Sequence, residues 1–367
     1  MNGTQEQTNK PMREGYTTGA CAAAATKAAL TALITGEYQT ESTILLPIGR
    51  LVTFTVEQLS LTAEYAAAAI RKDGGDDPDA THGALIFATV SWADGNGILL
   101  DGGQGVGRAT KPGLPIAVGE AAINPVPRKM ITEAAAEVLV HHALNKGVKV
   151  VISVPDGEEI AKKTLNARLG ILGGISILGT RGIVVPFSTS AYKASIVQAL
   201  QVAQANLCTH VVITTGGRSE KLAMEQFSHL PEESFIEMGD FVGFTLKQCK
   251  RLGFINVSLV GMMGKFSKVA QGVMMVHSKS APVDFDFLSR VASEAGAAAE
   301  LIEAVKGAHS ASLVGDLMLE HNCPSFFDVL CDYCCRSALR ETGGGIAIDT
   351  TIYSLKGRLL GKAARNE

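Results

Sequence analysis

Four carboxylates and an imidazole crowd into twelve residues, Lys72-Asp73-Gly74-Gly75-Asp76-Asp77-Pro78-Asp79-Ala80-Thr81-His82-Gly83. Glycine and proline disfavour helix and strand there, so the segment reads as a loop. Like charges this close repel, and backbone N–H groups, a cation or ligand donors must compensate them. Such a set could work on a proton or meet a ligand, and by itself it names no reaction. A solvated turn is the plain alternative. Thr17-Thr18-Gly19 opens an alanine-rich helix. A helix start of this kind can bind an anion, or can simply head a tightly packed core helix. Thr214-Thr215-Gly216-Gly217-Arg218 and Gly261-Met262-Met263-Gly264-Lys265 stand at the ends of expected strands, and His277 follows.

The elements that must position these residues fall into two patterns. Early on, a helix from Ala20 is expected, capped by Thr17 or Thr18 and stopped at Gly36. Strands are expected over 43–46, 51–61, 84–92 and 98–100. Residues 101–107 match the D-x-G-x-G-x-G loop of nucleotide-fold methyltransferases, but Pro112 and Pro115 deny it the required helix. It therefore reads as a glycine-rich loop. Pro125 and Pro127 predict extended backbone, followed by a helix over 131–146 ended by Gly147.

Beyond that connector, strands over 148–154, 211–215 and 257–260 alternate with helices over 158–169, 190–206, 220–227 and 241–252. Such βα units predict a mainly parallel sheet with ligands beyond its strands' carboxyl ends. The fold class is thus α/β in two domains. A mixed α+β domain covers 1–128 and a Rossmann-like parallel-sheet domain covers 129–290. A helical segment and closing hairpin over 291–367 would pack back on the first domain. The Asp76–His82 loop and the Thr214–Arg218 turn are expected to line one cleft.

Length and composition narrow the function. The 367 residues, 46% hydrophobic and 19% charged, suit globular domains with substantial cores. A formal net charge of −3 and 5% aromatics argue against nucleic acid. No apolar run is expected to cross a bilayer, and the polar leader Met1–Pro11 lacks a secretory core, which points to the cytoplasm. Seven cysteines at irregular spacing fit reduced thiols. Cys323, Cys331, Cys334 and Cys335, with His321 nearby, lack a second C-x-x-C, so no metal is assigned.

Several blocks together are more specific than any one glycine pattern. They are Gly15-Tyr16-Thr17-Thr18-Gly19, the 75–83 loop, Gly105-Val106-Gly107, Ala122-Ile123-Asn124-Pro125-Val126-Pro127-Arg128 and 173–180. Gly239-Asp240-Phe241-Val242-Gly243 and the stretch from Gly264-Lys265 to His277 complete them. In this order, over nearly the whole chain, the sequence resembles the CbiD family of the anaerobic cobalamin pathway, with Ala20 and Arg181 as small departures. The resemblance implies S-adenosylmethionine as methyl donor and methylation of C-1 of cobalt-precorrin-5B, giving cobalt-precorrin-6A.

On that basis His82, Asp77 and His277 are catalytic candidates. Asp76, Asp79, Thr214, Thr215, Gly216 and Gly217 are candidates for the cofactor. Thr17, Thr18, Arg108, Asn124, Arg128, Arg218 and Lys265, with Lys111, are candidates for the carboxylate-bearing macrocycle, Arg being suited to bidentate pairing. The expected partner is that small molecule, not nucleic acid or membrane; a homo-oligomer and transient contacts with other pathway enzymes stay open. Rival readings are a methyltransferase on another tetrapyrrole, a non-catalytic corrinoid carrier, and a kinase-like phosphate binder suggested by Gly261–Lys265.

Overall fold

The structure is a computed structural model that describes residues 11–366. Residues 1–10 of the expected leader lie outside the described residues. The chain is mixed α/β and divides into two compact units, Met1–Ser188 and Thr189–Glu367.

In the first unit, α1 spans Thr18–Thr35, with Thr17 as N-cap accepting from the Ala20 amide and Gly36 closing the helix in the left-handed region. Both ends are as the sequence predicts. Its alanines are fully buried against α2 (Pro125–His141) and a five-stranded sheet. Small side chains permit that close packing on two sides. By length and composition α1 could also cross a membrane, contrary to the sequence expectation, but 72% of it is buried inside the protein. It is a core helix.

The sheet contains β1 (Gln58–Leu61), β2 (Tyr65–Arg71), β3 (Leu85–Ala93), β4 (Ile98–Gly102) and β5 (Gly147–Ser153), in the order β1-β2-β3-β5-β4. β5 runs antiparallel to β3 and parallel to β4. The division expected at residue 128 therefore moves to 188, because the valine-rich strand 148–154 completes the first sheet instead of opening a second one. Two further readings are corrected here. α2 begins at Pro125, since proline is tolerated in a helix's first turn, where the N–H has no partner to lose. The helix expected over 158–169 is only Gly157–Ala161 followed by turns.

The second unit begins with α3 (Thr189–Ala205). Its sheet holds β6 (His210–Thr214), β7 (Phe235–Glu237), β8 (Asn256–Met262), β9 (Ala347–Tyr353) and β10 (Leu359–Asn366). The order is β7-β6-β8-β9-β10, with every pair parallel except β9–β10. Between β6 and β7 lies α4 (Gly217–Gln226), and α5 (Ser325–Thr342) leads into β9. The closing hairpin thus extends the second unit's own sheet, where the sequence suggested that it packs on the first domain. β7, short and flanked by turns, carries too weak a pattern to be read in advance.

The thiols of Cys331, Cys334 and Cys335 on α5 are buried, and burial pushes Cys335 up to about 11. Cys334 lies 3.3 Å from the Phe266 carbonyl and Cys335 3.3 Å from Thr350 Oγ1. Among the described residues no group of three or more His, Cys, Asp or Glu could hold a metal ion.

Candidate functional site

The acidic loop closes the β2–β3 hairpin. Lys72 N–H donates to the Ala84 carbonyl at 2.9 Å and Gly83 N–H to the Lys72 carbonyl at 2.8 Å, so pairing continues past the strand ends. The repulsion anticipated from the sequence is relieved acid by acid. Asp73 pairs with the Arg13 guanidinium and accepts from Gly75 N–H, and these, Arg13 first, hold its carboxyl down at about 2. Asp76 accepts from the backbone N–H of Arg13 at 2.6 Å, and Asp77 from that of Phe187 at 2.9 Å. Asp79 accepts from Lys72 Nζ at 2.5 Å and from the Thr81 amide and hydroxyl at 2.7 and 2.6 Å. Burial alone would raise the Asp79 carboxyl, but the Lys72 charge and these hydrogen bonds keep it below its ordinary value.

The loop is held by backbone crossing backbone. Tyr16 N–H donates to the Asp73 carbonyl at 2.7 Å. A Cβ on Gly15 would lie 2.1 Å from Gly74 C, and one on Gly75, whose φ is +68°, would lie 2.3 Å from Arg13 O. Those glycines serve the crossing and leave no gap for a ligand.

His82 accepts from Gly74 N–H through Nδ1 at 3.0 Å. The neutral ring then carries its proton on Nε2, on a side chain 55% exposed. In this form His82 presents a donor to the outside, not a base. Asp73 Oδ1 lies 3.7 Å from Nδ1.

Beside the loop is a cleft of about 200 Å³. Its polar wall comprises Thr17, Thr18, Lys72, Asp79, Asn166 and Ser176, and Ile175, Leu178 and Val184 supply apolar surface. Thr18 Oγ1 accepts from Leu178 N–H at 2.9 Å, and Asn166 donates to the Gly174 carbonyl at 3.0 Å, which ties this wall together. Of the predicted residues, the structure brings Thr17, Thr18 and Asp79 to the cleft. It adds Lys72, Asn166 and Ser176, which the sequence reading did not select. Lys72 had a signal: a lysine ending an alanine-rich strand, one residue before the acids.

Other candidates have local roles. Arg108 pairs with Asp101 at 3.0 Å and donates to the Gly102 and Gly119 carbonyls, bracing the glycine-rich loop. Arg128 pairs with Glu120 at 3.3 Å, and Asn124 stands as N-cap of α2 without a side-chain capping bond. Gly105, with φ +69°, packs where a Cβ would sit 1.8 Å from the Val154 carbonyl, so this loop exists for backbone packing.

In the second unit, Thr214, Thr215, Gly216 and Gly217 join the end of β6 to the start of α4, with Arg218 exposed. Lys265 donates to the Thr215 carbonyl at 3.2 Å and pairs with Asp240 at 3.0 Å. Glu237, at the end of β7, lies 3.9 Å from where a Gly216 Cβ would be and hydrogen-bonds Tyr192. Burial and the charges of Glu237, Asp240 and Glu220 push the Tyr192 phenol up to about 12. His277 is exposed, and its ring accepts from Lys279 N–H at 3.2 Å, shaping a turn.

Comparison with known proteins adds the following. The family described as CbiD matches residues 5–186, and that described as CbiD, C-terminal domain, matches residues 275–364. A protein from Geobacillus kaustophilus named cobalt-precorrin-5B C(1)-methyltransferase is 71% identical, over 98% of this chain and 96% of its own. Proteins of the same name from Priestia megaterium and Salinispora arenicola are 69% and 48% identical, over 97% and 94% of this chain and 97% and 91% of theirs. A solved structure titled cobalamin biosynthesis protein (cbiD) from Archaeoglobus fulgidus is 30% identical, covering 69% of this chain and 78% of that one, with a TM-score of 0.38.

Proposed function

Because the chain belongs to the CbiD family, we propose that it methylates C-1 of cobalt-precorrin-5B to give cobalt-precorrin-6A, in the anaerobic route to cobalamin. The observation that carries this reading is 71% identity, across 98% of the chain, to a relative named for that reaction. When bound, S-adenosylmethionine supplies a methyl group already activated on sulfonium, so the protein's own task is alignment and handling of charge. The described cysteines are all free thiols, in keeping with a reaction in the cytoplasm.

The residues suited to the donor are those of the second unit. Its chain passes from β6 to β7 on one side and then to β8 on the other, and ligands favour such a switch point. Thr214 Oγ1 is buried there with no hydrogen-bond partner among the described residues. In this reading Glu237, which also hydrogen-bonds Tyr192, would accept from the ribose hydroxyls. That strand order supports reading the second unit as Rossmann-like, the kind of fold such a donor favours. Asp76 and Asp79 are already engaged by protein donors and act as braces of the loop. For the macrocycle, the first unit offers the cleft threonines and the exposed Nε2 donor of His82.

The test is anaerobic turnover, read as S-adenosylhomocysteine formed per enzyme. His82→Ala is expected to lower turnover about 100-fold, the range for removing one hydrogen-bond donor aimed at developing charge. His82→Gln, which keeps an amide N–H, should restore part of it. Unchanged turnover in His82→Ala would remove His82 from the reaction.

A further inference from the structure

The first-unit cleft is lined by donors that protein acceptors leave unfilled. Lys72 is 2% exposed, and of its three ammonium protons only one meets an acceptor among the described residues, Asp79 Oδ2. In the first turn of α1, Gly19, Ala20 and Cys21 N–H donate to Leu178 O, Thr17 Oγ1 and Thr17 O, while Thr18 N–H has no partner among the described residues. A buried ammonium and an open amide at a helix N-terminus, on the wall of one cleft, ask for an anion.

The size limits the anion. About 200 Å³ lies below the roughly 300–1,000 Å³ of pockets that hold drug-sized ligands. The floor is buried at Lys72, Ile175 and Ser176, while Ala80 and Leu178 on the rim are exposed. A short chain with an apolar stem and a carboxylate end fits this shape, its methylenes against Ile175 and Leu178 and its charge on Lys72.

We propose that the cleft is the receptor for one carboxylate arm of the macrocycle, with Lys72 as the specificity-determining residue. The proposal rests on the substrate reading above. The carboxylate of the methyl donor shares this chemistry, and the experiment separates the two sources.

The experiment is equilibrium binding, without turnover, of a cobalt corrinoid polycarboxylic acid, its methyl ester and S-adenosylhomocysteine to the full chain. The wild type should bind the acid at least tenfold more tightly than the ester. Lys72→Met should weaken the acid about tenfold and leave the ester and S-adenosylhomocysteine unchanged. The pair-neutral Lys72→Met/Asp79→Asn, which leaves no uncompensated charge, should behave alike, and its melting temperature verifies folding. Equal acid binding by wild type and both variants would overturn the arm receptor alone. Weakened S-adenosylhomocysteine instead would assign the cleft to the donor and overturn the proposal. Failure of the wild type to bind either corrinoid would overturn the substrate reading and the proposal with it.

Discussion

Asp79→Ala is expected to destabilise the first unit by about 3–5 kcal/mol, the range for removing one partner of a buried ion pair. Lys72 stays 2% exposed and loses its acceptor. The double variant Lys72→Met/Asp79→Ala should recover most of the loss, because no isolated charge is then buried. Trp92, the single tryptophan, sits in β3 and reports the unfolding of this unit in urea. Its signal keeps the measurement clear of the second unit, which a two-unit chain requires. The pH dependence has a definite sign. The Asp79 carboxyl is depressed in the folded state. Its contribution is therefore full above the unfolded value of about 3.9 and is lost as pH falls through the lower folded one. The double variant should lack that acid-labile part. Equal midpoints for wild type and Asp79→Ala would mean that the pair does not hold the loop.

Gly105→Ala should cost about 2–5 kcal/mol, the sum of a left-handed residue with a Cβ and of overpacking. Three backbones meet at this point. A Cβ on Gly157 would lie 2.0 Å from Gly105 O, and one on Gly174 2.1 Å from it. Gly173 is the control, because its φ of +83° is similar but nothing lies within 4 Å of its Cβ position. Gly173→Ala should therefore lose only about 1–2 kcal/mol. Similar losses at the two positions would show that conformation, not close approach, requires Gly105.

Local signals made much of this fold legible. Threonine before an alanine run and glycine after it bounded α1 because caps act within one turn. What failed needed long-range knowledge. Strand 148–154 looked like a parallel strand of a new domain, since a buried valine run is the same whether its neighbours run parallel or antiparallel; only the pairing with β3 and β4 decides. The acidic loop is legible from its glycines and proline, yet its charges give no hint that Arg13 and the Phe187 amide answer them from distant segments. Lys72 reads as surface in sequence, as a lysine ordinarily does. It is 2% exposed and shares a cleft wall with Thr17, Thr18, Asn166 and Ser176, all distant in sequence.

Where a labelled methyl group goes decides whether this chain is a C-1 methyltransferase. Purified protein is incubated without oxygen with methyl-¹³C S-adenosylmethionine and cobalt-precorrin-5B, and the product carbon is located by NMR. The expected result is one label per macrocycle, on C-1 of ring A, with equimolar S-adenosylhomocysteine. Pigment bound but unlabelled, while the preceding enzymes of the route are active in the same mixture, would contradict it and leave a corrinoid carrier in place of a methyltransferase.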